Sequence, residues 1–151
     1  MKHKVDTQNR IHFQFHLNGF FMKEKNNKLK NVFILEDDQD IRLATTFALN
    51  KTKEFSVISS STTTDAAFKI MNQKFDCIIL DYQIGLTETS EKLIEYIKMN
   101  CHFNKTTPII LTIGSLDKKI ILKLKDNITS AIVKPVARYD LIERIKKLTS
   151  Q

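Results

Sequence analysis

Glycine and proline are scarce, 3 and 2 among 151 residues, which excludes collagen-like and linker-like chains. Tryptophan is absent. The two cysteines, Cys77 and Cys101, form no CxxC pair. They read as buried or incidental thiols of a reducing compartment and not as a disulfide framework. No apolar run approaches the ~18 residues of a membrane span. The N-terminus is no signal peptide, because Arg10, three histidines and several Asn and Gln interrupt every apolar stretch. A cytoplasmic chain without a membrane partner is the expectation. What is present is ordinary for a folded protein: 42% hydrophobic and 27% charged residues. A chain of this length buries ~70% of the surface its unfolded form exposes, so one domain with a tail is expected.

The formal charge of +7 is unevenly placed. Residues 1–30 hold seven Lys and Arg against Asp6 and Glu24, a surplus of five, whereas residues 31–151 hold 17 against 15 acids. The body is nearly neutral, and direct nucleic-acid binding is not expected of it. Its acids concentrate in Glu36-Asp37-Asp38-Gln39-Asp40.

From Asn31 onward, short apolar runs alternate with helical stretches. Val32–Leu35 is a buried-strand run, and Asp40–Asn50 places Ile41, Ala44, Thr45, Ala48 and Leu49 at helical spacing. Phe55–Ile58 is a second strand, followed by a helix capped by Thr63 or Thr64 that carries Ala66, Phe68, Ile70 and Met71. Phe75–Leu80 is a third strand, and Ser90 caps a helix with Leu93, Ile94 and Ile97 inward. Pro108–Thr112 is a fourth strand, with proline at the first position where no ladder donor is lost. Ser115 caps the next helix, which carries Leu116, Ile120, Ile121 and Leu124. Ala131–Val133 is the fifth strand, and Leu141, Ile142, Ile145 and Leu148 stripe the last helix. Five strands, each followed by a helix, imply an α/β fold with a doubly wound parallel sheet. In such a sheet, ligands bind beyond the carboxyl ends of the strands.

Polar residues close those strands: Glu36-Asp37 the first, Asp81 the third, Thr112 the fourth, Lys134-Pro135 the fifth. A parallel sheet gathers them at one edge. Three carboxylates packed together repel, raise one another's pKa and call for a hard cation such as Mg²⁺. A lysine and a hydroxyl opposite suit a small tetrahedral anion. The set is equipment for phosphoryl transfer with a carboxylate as nucleophile. Taken singly, each element has a plainer reading: an acid-rich helix start, a turn aspartate, a strand end, an ordinary loop. Four such coincidences at four strand ends are far less probable than one site.

The segments Ile34–Arg42, Ile79-Leu80-Asp81, Pro108–Thr112 and Val133-Lys134-Pro135 resemble the two-component response-regulator receiver domain over residues 31–151. The resemblance implies a flavodoxin-like fold with strand order 2-1-3-4-5. It implies that Asp81 accepts phosphate from a sensor histidine kinase or a histidine phosphotransferase. Asp37 would bind Mg²⁺ directly, Glu36 through water, and the backbone carbonyl of Gln83 would complete the protein ligands. Lys134 would pair with phosphoryl oxygens, Thr112 would swing toward them, and Pro135 would follow a cis peptide bond. No enzyme acting on a diffusible substrate is implied.

The sequence departs from that pattern in places. Ala131 stands where the family's switch carries Tyr or Phe, which removes that readout. Ile113 replaces a small residue and is expected to gate access to Asp81, slowing gain and loss of phosphate; the alternative is that it points into the sheet–helix core and leaves the kinetics alone. Gly85 replaces a proline and Thr89 a glycine, so the loop from Tyr82 to Thr89 is expected to be reshaped. Residues 1–30 resemble nothing in the family. Ile11, Phe13, Phe15 and Leu17 alternate with His12, Gln14, His16 and Asn18 ahead of an Asn18-Gly19 turn, the pattern of a hairpin. His12 and His16 could serve as metal ligands; the plainer alternatives are a disordered extension or translation that begins at Met22.

The functional expectation is a stand-alone receiver that signals to a downstream protein through its fourth helix, fifth strand and fifth helix, a face that could also form a homodimer. No output domain is expected after Gln151. The alternatives are a relay intermediate that passes phosphate to a histidine phosphotransferase, and a scaffold that is never phosphorylated.

Overall fold

The computed structural model describes residues 28–150; the expected N-terminal hairpin, His12, His16 and Met22 lie outside them. Six-residue strands β1 (Lys30–Leu35) and β2 (Phe55–Ser60) flank helix α1 (Gln39–Lys51) in the chain. Helix α2 (Thr63–Asn72) leads to β3 (Cys77–Asp81) and a two-residue hairpin, β4 (Gln83–Ile84) with β5 (Glu88–Thr89). Helix α3 (Glu91–Asn100), β6 (Ile109–Ile113), α4 (Lys118–Leu124), β7 (Ser130–Val133) and α5 (Arg138–Thr149) complete it. The five long strands form one parallel sheet in the order β2-β1-β3-β6-β7. That is the flavodoxin-like order that the family resemblance implied.

Side chains alternate across the sheet, as strand geometry requires. Val32, Ile34, Cys77, Ile79 and Ile110 face a layer that includes Leu49, Leu141 and Ile145. Phe33, Leu35, Ile78, Leu80, Ile109, Leu111 and Ile113 face the layer of Ala66, Ile70, Ile94, Ile97 and Leu124. Phe33 and Phe75 stack at 5.2 Å between centroids, tilted by 58°. Fully burying each Leu, Ile or Phe contributes ~1.5–3 kcal/mol, so the two layers fix the sheet and with it the edge where the strands end.

Several local expectations are corrected. Helix α1 is capped by Asp38, whose Oδ1 accepts from the Ile41 amide at 2.9 Å. Of its apolar stripe only Leu49 is fully buried, while Ile41 is 45% exposed. Thr62, not Thr63 or Thr64, caps α2, and Phe68 and Met71 face outward. Strand β3 begins at Cys77 because Asp76 turns aside, exchanging bonds with Asn31: the Asp76 amide donates to its carbonyl and Asp76 Oδ2 accepts from its amide. Ser90 stands at the start of α3, but its buried hydroxyl makes no capping bond. Asp117, not Ser115, caps α4 by accepting from the Lys119 amide at 2.8 Å, and this leaves Leu116 outside the helix and exposed.

Candidate phosphoacceptor site

The carboxyl ends of β1, β3, β6 and β7 bring the expected residues together. Asp81 is the last residue of β3 and lies in register with Thr112 of β6. Asp81 continues the face of Cys77 and Ile79, and Thr112 that of Ile110, by two-residue alternation. Both are buried, as is Glu36 just past β1. The Glu36 amide donates to the Ser60 carbonyl at 3.1 Å, which extends the β1–β2 ladder by one bond. Arg42 pins the turn from the helix side: its Nη1 donates to the carbonyls of Glu36 at 2.7 Å and Asp37 at 3.1 Å. The sequence gives Arg42 no role, because a guanidinium that meets backbone carbonyls depends on no particular side chain at either position.

Lys134, just past β7, closes the site. Its Nζ donates to Glu36 Oε2 and to Asp81 Oδ2, both at 2.8 Å. Burial alone would lower the lysine's pKa, but its hydrogen bonds to Asp81 and Glu36 and their negative charges outweigh it and hold the pKa above its usual value. Glu36 is shifted up, chiefly by burial, with the Asp81 charge adding and the Lys134 bond opposing. The expectation of three simply repelling acids is therefore amended: an ammonium already bridges two of them. The Lys134–Pro135 peptide is cis.

One oxygen each of Glu36, Asp37 and Asp81 lies within 4.8 Å of the others. Hard oxygens at this spacing with the third acid, Asp37, exposed to solvent fit a small divalent cation that keeps its own waters. Asp37 Oδ2 also accepts from the Gly85 amide at 2.9 Å. The loop from Tyr82 to Thr89 holds the β4–β5 hairpin, with Gly85 at φ +61°. Gln83 sits at its start, its side chain turned away to the carbonyls of Gly85 and Glu88.

Ile113 is not a gate. It is 1% exposed and packs among Leu111, Leu124 and the rest of the α2–α4 layer. Thr112 faces the site, so its neighbour must face away. Ala131 is half-buried in β7, paired with Leu111, and supplies no ring.

A sequence profile of the response regulator receiver domain matches residues 32–146. The chain belongs to the response-regulator receiver family. Solved receivers share its fold. The chemotaxis protein CheY4 of Vibrio cholerae superposes with a TM-score of 0.73 at 20% identity, over 80% of this chain and 99% of that one. The receiver domain of a Pseudomonas aeruginosa sensor histidine kinase, with magnesium in its active-site cleft, gives 0.72 at 15% identity, over 82% and 100%. A CheY-like receiver protein of Methanospirillum hungatei gives 0.70 at 25% identity, over 82% and 95%. No curated protein matches this receiver. Among its described residues no helix is long and apolar enough to cross a membrane.

The receiver carries features that no motif in its sequence announced. Tyr82, next to Asp81, donates its hydroxyl proton to Glu91 Oε1 at 2.7 Å, and Glu91 Oε2 accepts from Lys123 of α4. Tyr82 is pushed up to about 12, first by that bond and then by burial, while Glu91 is held below its usual range by Lys123 and then Tyr82. The chain just past Asp81 is thereby tied to α3 and α4.

Proposed function

We propose that this receiver accepts a phosphoryl group on Asp81 from the phosphohistidine of a histidine kinase or phosphotransferase, with Mg²⁺ as cofactor, and signals by protein–protein contact. The observation that carries the reading is Lys134 Nζ at 2.8 Å from both Glu36 Oε2 and Asp81 Oδ2, beside Asp37 and Thr112. Lys134 holds Oδ2, so attack falls to Asp81 Oδ1. The new bond is Oδ1–P; the N–P bond of the donor breaks, and the imidazole nitrogen leaves with the electron pair. Glu36, Asp37, Asp81 and the Gln83 carbonyl would hold the cation, which when bound neutralises charge on the phosphoryl oxygens. After transfer Lys134 exchanges its carboxylate contact for a phosphoryl oxygen, and the Thr112 hydroxyl, one strand away, turns to another.

Without an aromatic residue at position 131, the change has to leave the site by another route. The Tyr82–Glu91–Lys123 link, which starts beside Asp81 and ends on α4, supplies one. The test is intact-mass measurement after incubation with Mg²⁺ and acetyl phosphate, with and without a chelator. One added phosphoryl mass, lost with the chelator and absent in Asp81→Asn, is expected. No adduct in the native chain, or an adduct that survives in Asp81→Asn, contradicts the reading. Rapid return of phosphate to a histidine phosphotransferase would place the chain in a relay.

A further inference from the structure

The sequence pattern offers three carboxylates for a cation, but carboxylates on separate segments need something to hold them in place. Glu36 is held by Lys134 and by its place at the end of the sheet. Asp37 is exposed, and its carboxylate reaches a backbone donor 48 positions away: the Gly85 amide, at 2.9 Å from Oδ2. We infer that Gly85 is a positioning residue for the metal site, its N–H fixing the Asp37 carboxylate and tying it to the loop that carries the Gln83 carbonyl. This inference rests on the Mg²⁺ reading above.

Three observations support it. Gly85 has φ +61°, a left-handed conformation that costs other L-residues energy and that proline, fixed near −65°, cannot adopt. A Cβ there would meet nothing within 4 Å, so no neighbouring side chain demands glycine and the backbone conformation alone does. The Gly85 carbonyl is held as well, by Gln83 Nε2 at 3.2 Å, with the same amide group also donating to the Glu88 carbonyl at 3.0 Å. The hairpin β4–β5 thus braces the very turn whose amide faces Asp37. A bond to Oδ2 leaves Oδ1 for a cation, and holding the carboxylate in advance removes part of the ordering that binding would otherwise require. A proline at this position has no N–H to offer, so a receiver built with proline there must hold its aspartate by other means.

The experiment uses the full chain. Mg²⁺ is titrated calorimetrically into the native protein, Gly85→Pro and Gly85→Asn. Asparagine tolerates the left-handed region and keeps the N–H. Gly85→Pro is expected to weaken Mg²⁺ binding about tenfold or more, the effect of removing a hydrogen bond to a charged group. Gly85→Asn is expected to bind as the native chain does. Equal binding by Gly85→Pro, or an equal loss in Gly85→Asn, overturns the inference while the native titration leaves the Mg²⁺ reading standing. A native chain that binds no Mg²⁺ overturns the reading and the inference together. Because proline also removes the left-handed conformation of this turn, the bond is read on the native fold without metal as well. The Gly85 amide proton should resonate at low field and move upfield in Asp37→Ala; an unmoved resonance overturns the inference.

Discussion

Lys134 and Asp81 lie 53 positions apart and meet through a 2.8 Å ion pair, with Glu36 on the lysine's other side at the same distance. Removing one member of such a group leaves buried charge without a partner, which costs more than the pair itself contributes. Lys134→Met should therefore destabilise the metal-free protein by of order 3 kcal/mol, although a methionine chain fills the space. Mg²⁺ should stabilise both proteins against unfolding, because only the folded chain gathers the three carboxylates. Urea denaturation with and without Mg²⁺ measures both effects. A Lys134→Met variant as stable as the native protein would show that the ion pair does not hold the site together.

Ile113 provides a second test, now with the opposite expectation from the one its sequence position suggested. Truncation to alanine removes core volume and should cost ~2–5 kcal/mol. The time course of phosphorylated mass should not change, since Ile113 faces the α2–α4 layer and not Asp81. Altered rates with unchanged stability would restore the gate.

How much was legible in the sequence follows from such cases. The strand ends were, because fully buried strands advertise themselves as apolar runs and their polar terminators stand out. The orientation of Ile113 could have been read too: with Thr112 in the site, alternation sends its neighbour to the other face. Gly85 and Arg42 were out of reach, because a backbone amide and a guanidinium that meets carbonyls leave no pattern. The exposure of Ile41 was hidden because helical spacing shows which residues share a face and not how closely that face is covered.

Asn104 was equally hidden. It is fully buried, donates to the carbonyls of Ile70 at 2.6 Å and Gln73 at 2.7 Å, and accepts from the Phe75 amide and the Thr107 hydroxyl. It knits the end of α2 and the start of β3 to the loop before β6. Asn104→Ala strands several buried polar groups at once, and a loss of ~2–4 kcal/mol is expected. Thermal unfolding measures it; a change within experimental scatter would mean that water replaces the amide.

The Tyr82–Glu91–Lys123 link makes a pH-dependent prediction. Glu91 is depressed below its ordinary 4.5 by Lys123 and Tyr82. Its contribution is therefore present above pH 4.5 and is lost as pH falls through the folded value. Glu91→Gln should be less stable than the native protein at neutral pH, and the difference should shrink in acid. Tyr82, raised from 10.0 to about 12 chiefly by its bond to Glu91, should titrate closer to 10.0 in that variant. Absorbance of the phenolate follows it. A stability difference that is constant with pH, or a Tyr82 that does not move, would remove the link.

The central claim is that Asp81 is the phosphoacceptor, and the most direct measurement places the modification within the chain. The protein is incubated with Mg²⁺ and acetyl phosphate, reduced with borohydride to turn the acyl phosphate into homoserine, digested with trypsin and sequenced by mass spectrometry. Cleavage after Lys74 and Lys92 isolates a peptide that holds Asp76 and Asp81. The account predicts homoserine at position 81 alone and only when Mg²⁺ is present. Homoserine at Asp76 or at Asp37, or an unmodified Asp81 in a chain that has gained phosphate, would contradict it.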